Sequence, residues 1–150
     1  MHIELSDEQR LLQDSVRQFA EEVVRPRAKE IDESGEFPRQ FFAQAGELGL
    51  AGVTVPERYG GAGMDPLSYS IVIEEISRVC ASSGVILSVN NSLVCDPILK
   101  FGTEENKEAF LEPLAAGDRL GWLALNEPVE CSVHSGVGRT GVREGEVFIV

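Results

Sequence analysis

The residues best placed to hold a cofactor lie near the end of the chain, in the stretch GWLALNEPVECSVHSG between Gly121 and Gly136. Its apolar start predicts a short β-strand, and Asn126-Glu127-Pro128 predicts the turn that follows. A loop after a strand can cradle a cofactor, and glycine suits its tip because glycine permits positive φ and close approach. Here the tip carries Val129, Glu130 and Cys131 instead. The stretch is therefore a binding loop, an altered binding loop or a plain turn.

Other residue types that often do chemistry are present without the spacing that chemistry needs. Cys80, Cys95 and Cys131 stand far apart and lack the short paired spacing of a zinc or redox motif. His2 and His134 have no second ligand or nucleophile spaced near them. We therefore expect ordinary reduced thiols and no metal site.

The composition argues against several classes of partner. The chain has 150 residues, 43% of them hydrophobic, which is enough for one well-buried core. Its formal net charge of −12 repels nucleic acid and anionic lipid. The chain shows no secretory signal pattern and no apolar run near the ~20 residues that span a bilayer. We expect a soluble, cytoplasmic protein that binds neither nucleic acid nor a membrane.

The first helix has a clear start. Ser6-Asp7-Glu8-Gln9 is a capping box, in which Ser6 and Gln9 can each bond to the backbone N–H of the other. Pro26 lacks an N–H and clashes with the preceding turn, so we expect the helix to kink or end near Arg25, before Ser34-Gly35 closes the segment. The apolar stripe that should face the core comprises Leu12, Val16, Phe19 and Val23.

Further helices are predicted along the next 80 residues, separated by glycine-containing stretches. The connection around Gly60-Gly61 should be irregular, and no Lys-Ser/Thr follows it to form a phosphate loop. We expect Ser82-Ser83-Gly84 to break the third helix, and Leu48 and Leu67 to face inward. The predicted helices run from Pro38 to Gly49, from Asp65-Pro66 to about Cys80, from Val85 to about Lys100, and from the Thr103 cap to about Ala116.

Three polar residues interrupt the apolar surface of the helix that begins at Val85. Asn90, Asn91 and Ser92 lie in a stretch that is apolar on more than one side, which is typical of a central helix surrounded by others. Polar groups in such a helix cost free energy unless they are hydrogen-bonded. They therefore either face a cavity or bond to a neighbouring backbone, and both interpretations stay open.

The character of the sequence changes near residue 120. LGWLALNEP and GEVFIV are short β-rich runs, separated by the glycine-containing SGVGRTGVREG. Two strands do not make a stable sheet by themselves. We therefore predict a mainly α chain, with a helical domain over residues 1–120 and the first strands of an incomplete β-domain over residues 121–150.

Four blocks, in this order and spacing, resemble the amino-terminal part of the acyl-CoA dehydrogenases. The stretch VNNSL makes the chain most similar to the short-chain, butyryl-CoA type. The match covers nearly the whole chain, and four ordered blocks are far more specific than one motif. The blocks are LSDEQRLLQDSVRQFAEEVVRPRAKEID, ELGLAGVTVPERYGGAGMDPLSYSIVIEEISR, SVNNSLVCDPILKFGTEENKEAFLEPLAAGD and GWLALNEP.

The resemblance implies a fold and a reaction. It implies a helical amino-terminal domain, a middle β-domain and a second helical bundle, with FAD and an acyl-CoA substrate held among them. Such enzymes remove the α-proton of the acyl chain with a carboxylate base while the β-hydrogen leaves as hydride to the flavin, which gives an enoyl-CoA. Electron-transferring flavoprotein is the implied electron acceptor, and the full-length protein is implied to be a homo-oligomer.

The flavin-binding turn of the family is only partly matched here. By resemblance, Leu123, Leu125 and Asn126 approach the flavin ring, mostly through backbone groups, and Ser132 lies near the cofactor and the CoA thioester arm. Where the family has two glycines and an aspartate, this chain has Val129, Cys131 and Val133, and Asn126 replaces the usual hydroxyl. Two interpretations follow: an altered loop that no longer binds, or a loop that still binds through backbone contacts. A local error in the sequence would also explain such a deviant patch.

The resemblance also suggests substrate-binding residues and what the chain lacks. Val89 and Leu93 occupy helix positions that face the acyl tail in the family; packing in a core is the alternative interpretation. The catalytic carboxylate lies in the family's carboxy-terminal bundle, beyond Val150, so no catalytic residue is assigned here. We expect the amino-terminal part of a short-chain acyl-CoA dehydrogenase that is inactive by itself. The rival hypothesis is a non-catalytic helical association module or remnant.

Overall fold

The computed structural model describes residues 4–123, 142–145 and 147–149, and it is mainly helical, as predicted. Two π-helical segments, Ala20–Val24 and Val89–Cys95, continue the α-helices on either side of them, and two short 3₁₀ turns lie at Leu50–Gly52 and Glu57–Tyr59. The remaining elements are α1 (Asp7–Phe19), α2 (Arg25–Ser34), α3 (Arg39–Glu47), α4 (Pro66–Ser77), α5 (Ala81–Ser88), α6 (Asp96–Phe101), α7 (Glu104–Ala115), β1 (Val142–Glu144) and β2 (Val147–Ile149).

Three of the predicted helix starts are confirmed at atomic detail, whereas the helix predicted from Val85 begins earlier, at Ala81. The backbone N–H of Ser6 donates to Oε1 of Gln9 at 3.0 Å, and the N–H of Gln9 donates to Oγ of Ser6 at 3.2 Å, which completes the capping box of α1. Asp65 accepts from the N–H of Ser68 at 2.7 Å and so caps α4. Thr103 caps α7 in the same way. Local chemistry therefore determines where these helices begin.

Pro26 alters the first helix without ending it. The backbone stays helical from Asp7 to Ser34, and the π-helical segment Ala20–Val24 lies just before the proline. Because proline has no N–H and its ring clashes with the preceding turn, we attribute the wider turn to Pro26. The helical path ends at Gly35, which has φ 67° and takes the left-handed conformation of a C-cap.

Three details of the sequence prediction are wrong. Ser82-Ser83-Gly84 does not break a helix but lies inside α5, because the break falls earlier, at the extended residue Cys80 with φ −149°. Leu48, at the C-cap of α3, is 57% exposed, since the chain turns there toward Gly49. Leu67, in the first turn of α4, is 39% exposed, whereas its neighbour Ser68 in the same turn is buried.

The helical part has a core of two clusters. In the larger one, Phe19 and Phe41 stack with ring centroids 6.1 Å apart, which joins α1 to α3. Val72 and Ile76 of α4 and Leu87 of α5 complete its centre, and all three are fully buried. The smaller cluster lies under α7 and comprises Val55, Tyr59, Cys95, Leu111, Leu114 and Ala115. The π-helical segment Val89–Cys95 lies between the two clusters, and its polar residues are described below with the site.

The last described residues form a hairpin. Strands β1 and β2 pair antiparallel, with Val142 opposite Ile149 and Glu144 opposite Val147, and Gly145 has φ 66° at the turn. Strand β2 lies in the β-rich run GEVFIV, whereas β1 lies in the glycine-containing stretch SGVGRTGVREG that was expected to separate the two β-rich runs. The domain boundary at residue 120 stays a prediction. None of the helices in the described part of the chain is long and apolar enough to cross a bilayer.

Candidate functional site: an apolar groove beside the second π-helical segment

An apolar groove opens on the surface beside the second π-helical segment. Its volume is about 380 Å³. One wall is the helical stretch from Val85 to Leu93, and the other is the segment 120–123, which follows α7. Phe37, in the connection before α3, also lines it. The groove is therefore built by three parts of the chain that are far apart in sequence.

The helical wall follows from residue spacing. Val85, Val89 and Leu93 are four residues apart, so they lie on one side of the helical stretch. Val85 is 59% exposed and Leu93 is 42% exposed, which is unusual for side chains of this size when they occur together. The prediction that this stretch is surrounded by other helices is therefore wrong on this side, because the described residues leave it open as a groove.

The opposite wall approaches closely because Gly121 has no side chain. A Cβ atom at Gly121 would lie only 2.2 Å from Cγ1 of Val94, so any other residue would push the segment away. The wall is held by a hydrogen bond in which the Gly121 N–H donates to Oδ1 of Asn90 at 3.3 Å. Trp122 and Leu123 follow and stay 86% and 38% exposed.

The lining of this groove is suited to binding a ligand and not to catalysis. None of its lining residues carries an ionisable side chain, so it offers no acid, base or nucleophile. It suits an apolar chain or the face of a planar ring. Burial of an apolar chain in it would contribute about 0.8 kcal/mol of binding free energy per CH₂ group. A flavin or an acyl tail fits this description, because both need apolar contact at one side.

The predicted site residues fall into two groups. The structure brings Val89, Leu93 and Leu123 together in the lining of the groove, although the first two were predicted for substrate and the third for cofactor. The predicted residues Leu125, Asn126 and Ser132 lie outside the described residues, as does the whole turn with Val129, Cys131 and Val133. The assignment of FAD to that turn stays a prediction.

The buried asparagines were the open question of the sequence, and they bond to neighbouring backbone. The amide Nδ2 of Asn90 donates to the carbonyl oxygens of Ala51 at 2.8 Å and Leu114 at 3.1 Å. Asn91 accepts from the N–H of Val53 at 2.7 Å through Oδ1, and its Nδ2 donates to the carbonyl oxygens of Leu50 and Leu87. Both side chains therefore replace water as hydrogen-bond partners of buried main chain.

Other candidate chemistry is absent from the described part of the chain. Cys80 and Cys95 are free thiols, and burial raises the pKa of the Cys95 thiol to about 12, so that this thiol stays protonated at neutral pH. Over residues 4–123, 142–145 and 147–149 no cluster of three or more His, Cys, Asp or Glu residues could hold a metal ion.

Sequence reasoning missed Phe37, Trp122 and Gly121 as parts of the groove. The exposed Trp122 is the single tryptophan of the chain and directly precedes Leu123, so its position beside a predicted flavin contact was a usable signal. Gly121 had no such signal, because its need for glycine arises only from the approach of Val94.

Comparison with known protein families identifies the family of this chain. The sequence profile of the domain described as Acyl-CoA dehydrogenase, N-terminal domain, matches residues 6–118. The chain belongs to the acyl-CoA dehydrogenase family. The matched residues include all the helices given above and the helical wall of the groove.

Curated relatives carry the same family name. The chain is 44% identical over 148 residues to the mitochondrial short-chain specific acyl-CoA dehydrogenase of Bos taurus, covering 99% of this chain and 36% of that protein. It is 43% identical over 151 residues to the short-chain specific acyl-CoA dehydrogenase of Clostridium acetobutylicum, covering 100% of this chain and 40% of that protein. The chain thus spans less than half the length of these relatives.

Solved structures show the same fold. A chain in the structure of the electron transferring flavoprotein of Acidaminococcus fermentans superposes with a TM-score of 0.90 at 38% identity, covering 99% of this chain and 39% of that chain. The butyryl-CoA dehydrogenase of Megasphaera elsdenii superposes with a TM-score of 0.77 at 36% identity, covering 85% of this chain and 34% of that chain. The predicted family and helical fold are therefore confirmed.

Proposed function

We propose that the protein of which this chain forms the amino-terminal part is an FAD-dependent acyl-CoA dehydrogenase that converts a short-chain acyl-CoA to the enoyl-CoA. The family match and the similar proteins named short-chain or butyryl-CoA dehydrogenases support this proposal. We propose residues 1–120 as its helical domain and residues 121–150 as the beginning of the middle β-domain.

The apolar groove carries the proposal. Half-buried Val89 and exposed Leu93 offer two apolar contacts on one wall, and Leu123 offers one on the facing wall. We assign Val89 and Leu93 to the acyl tail and Leu123 to the flavin. Burial of the three aliphatic carbons of a butyryl group would supply about 2.4 kcal/mol at about 0.8 kcal/mol per CH₂ group.

The role of this chain in the reaction is to bind and to exclude water. When bound, FAD supplies the hydride acceptor of the dehydrogenation. Leu125, Asn126 and Ser132 are proposed to contact it, with Ser132 also beside the thioester arm. The apolar lining of the groove keeps water from the acyl tail, while the absence of ionisable groups there leaves proton removal to another part of the enzyme.

These 150 residues by themselves are proposed to lack dehydrogenase activity. By the resemblance, the carboxylate that removes the α-proton belongs to a carboxy-terminal helical bundle, and the groove contains no substitute for it. The exposed apolar lining favours the second candidate function, a helical module that associates with another chain, since such patches mark interaction sites.

The proposed partner and compartment follow the family and the composition. Electron-transferring flavoprotein is the proposed electron acceptor, supported by the likeness to a solved chain from the structure of such a flavoprotein. We propose a homo-oligomer at full length. The cytoplasm is the proposed compartment because the cysteines lack the paired spacing of disulfide-rich secreted domains, and cell fractionation tests it against the mitochondrial location named for some relatives.

The test is flavin and substrate binding by the full-length protein. We expect visible flavin absorption after purification or after addition of FAD, and bleaching of that absorption by butyryl-CoA. In Val89→Phe the larger side chain fills part of the groove and should lower kcat/KM for butyryl-CoA by about tenfold or more. The control is Leu11→Phe, at a 69% exposed apolar position outside the groove, which should leave kcat/KM unchanged.

Three results would each overturn part of the proposal. A full-length protein that stays colourless with FAD removes the cofactor assignment. Equal kcat/KM in wild type and Val89→Phe removes the groove as the acyl site. Activity of the 150-residue chain alone would contradict its proposed dependence on a base from elsewhere.

A further inference from the structure

The side chain of Asn90 forms hydrogen bonds to three parts of the chain that are far apart in sequence. It is wholly buried in the π-helical segment Val89–Cys95. Its Nδ2 donates to the carbonyl oxygens of Ala51 and Leu114, and its Oδ1 accepts from the N–H of Gly121. The amide orientation is determined by this network, because only the NH₂ end can donate to two carbonyl oxygens.

The hydrogen bonds of Asn90 link the two walls of the apolar groove. Asn90 follows Val89 on the helical wall, and Gly121 precedes Trp122 and Leu123 on the facing wall. The hydrogen bond of 3.3 Å between Asn90 and Gly121 therefore connects the two walls. Val94 limits the approach from the same side, since it leaves no space for a side chain at Gly121.

We propose that Asn90 is a positioning residue that sets the width of the apolar groove by holding Gly121, and with it Trp122 and Leu123, against the helical wall. What the groove binds rests on the proposed function, whereas the anchoring of Gly121 does not. Asn90 touches neither substrate nor cofactor in this proposal. It acts through the position of the facing wall.

Asn91 provides a matched control within the same helical segment. It is an asparagine of equal size, is 2% exposed, and is fully hydrogen-bonded to main chain. Its bonds go to Leu50, Val53 and Leu87 rather than to the segment 120–123. A substitution there removes a buried amide of the same kind without removing the acceptor of Gly121.

The experiment measures amide hydrogen exchange at Gly121 by NMR, and the fluorescence anisotropy of the single tryptophan, in the 150-residue chain. In the wild type we expect exchange at Gly121 to be about tenfold slower than in an unstructured peptide. Asn90→Ala should abolish this protection and lower the anisotropy of Trp122, whereas Asn91→Ala should preserve both. The exchange of Val16 in α1 corrects for any change in overall stability.

Asn90→Asp keeps the proposal testable if Asn90→Ala does not fold. The aspartate retains an oxygen that can accept from Gly121 and, when protonated, can still donate to one carbonyl oxygen. We expect it to restore most of the protection at Gly121. An unprotected Gly121 in the wild type overturns the proposal, as does equal loss of protection at Gly121 in Asn90→Ala and Asn91→Ala variants in which Val16 remains protected.

A titration of the full-length protein with butyryl-CoA, followed by the part of the tryptophan emission that Trp122→Phe removes, separates this inference from the proposed function. If emission does not respond, the assignment of the acyl site fails, while the exchange data still decide the role of Asn90. If emission responds in the wild type, we expect Asn90→Ala to weaken binding by at least about fivefold, the equivalent of one net hydrogen bond. Undiminished binding in that variant would contradict control of the groove by Asn90.

Discussion

Glu75 and the pair Asn90–Asn91 are buried polar groups of the same helical region, but they are held by different chemistry. Glu75 on α4 is 2% exposed and accepts from Nη2 of Arg17 at 2.7 Å and from Nε of Arg17 at 3.0 Å. Arg78 adds a third hydrogen bond at 3.3 Å. Both arginines remain partly exposed, so the charges are only half desolvated. The two asparagines are neutral and bond to main chain.

The difference shows how each region can be stabilised. At the contact between α1 and α4 both partners are regular helices whose backbone groups are already paired, so only side chains remain to be matched. The asparagines lie beside the buried turn Leu50–Gly52 and the half-buried Gly121, where main chain outside the α-helices needs partners. A neutral amide satisfies such groups without the cost of desolvating a charge. The first cluster therefore joins two helices, and the second shapes the groove.

The largest expected effect is on Asn91. Asn91→Ala leaves the N–H of Val53 and the carbonyl oxygen of Leu50 buried without these partners, and it also opens a cavity. We expect a loss of about 3 to 4 kcal/mol in the free energy of unfolding. Chemical denaturation of the 150-residue chain measures it. A loss below about 1 kcal/mol would mean that water replaces the amide and that the main chain there does not need it.

A smaller loss is expected at Glu75. Glu75→Gln keeps the shape but weakens the charge-assisted bonds to Arg17 and Arg78, for an expected loss of about 2 kcal/mol. The control is Glu33→Gln, whose partner Lys29 is exposed, and which should change the free energy of unfolding by less than about 0.5 kcal/mol. Equal losses of unfolding free energy in Glu75→Gln and Glu33→Gln would show that the buried ion pairs of Glu75 stabilise the fold no more than an exposed pair does.

Glu75 can titrate whereas Asn90 and Asn91 cannot, so the two clusters should make different contributions to the acid dependence of the free energy of unfolding. Hydrogen bonds from Arg17 lower the pKa of the Glu75 carboxyl below its ordinary value near 4.5, although burial opposes them. The unfolded chain therefore binds the proton first, and the stabilisation by Glu75 is complete above about pH 4.5 and is lost as pH falls through the folded pKa. Glu21, whose pKa is lowered to about 2 by Arg25 and Arg78, acts in the same direction.

Denaturation at a series of pH values checks this prediction. Below pH 4.5 the free energy of unfolding should fall less steeply in Glu75→Gln than in the wild type, by at most about 1.4 kcal/mol per pH unit, the value for one proton. Asn91→Ala should keep the wild-type slope, since an amide does not titrate. A changed slope in Asn91→Ala would contradict the separation of the two clusters.

Local signals in the sequence were enough for the helix starts and the family, but not for these clusters. The caps at Ser6, Asp65 and Thr103 depend on residues three positions away, so they could be predicted. The burial of Glu75 depends on Arg17, which is 58 residues away. The same limit explains why both interpretations of Asn90 and Asn91 stayed open.

The helical wall of the groove was predictable from residue spacing, whereas only Leu123 of the facing wall was pointed to, by the resemblance alone. The spacing of Val89 and Leu93 follows from helical geometry, and the resemblance already pointed to them. The facing wall forms because Gly121 passes Val94 and bonds to Asn90, which are contacts across more than 25 residues. Such contacts arise from the packing of α7 and leave no periodic pattern in the sequence.

The smallest expected effect is at Ser92, the third polar residue of the VNNSL stretch. Its Oγ donates to the carbonyl oxygen of Ser88 at 2.7 Å, within its own helical stretch. This bond joins no second element, and a serine that bonds to the preceding turn is neutral or slightly unfavourable in a helix. Ser92→Ala should therefore change the free energy of unfolding by less than about 0.5 kcal/mol and leave Gly121 exchange unchanged. A loss as large as that in Asn91→Ala would mean that polarity alone, rather than contact between elements, makes this stretch important for stability.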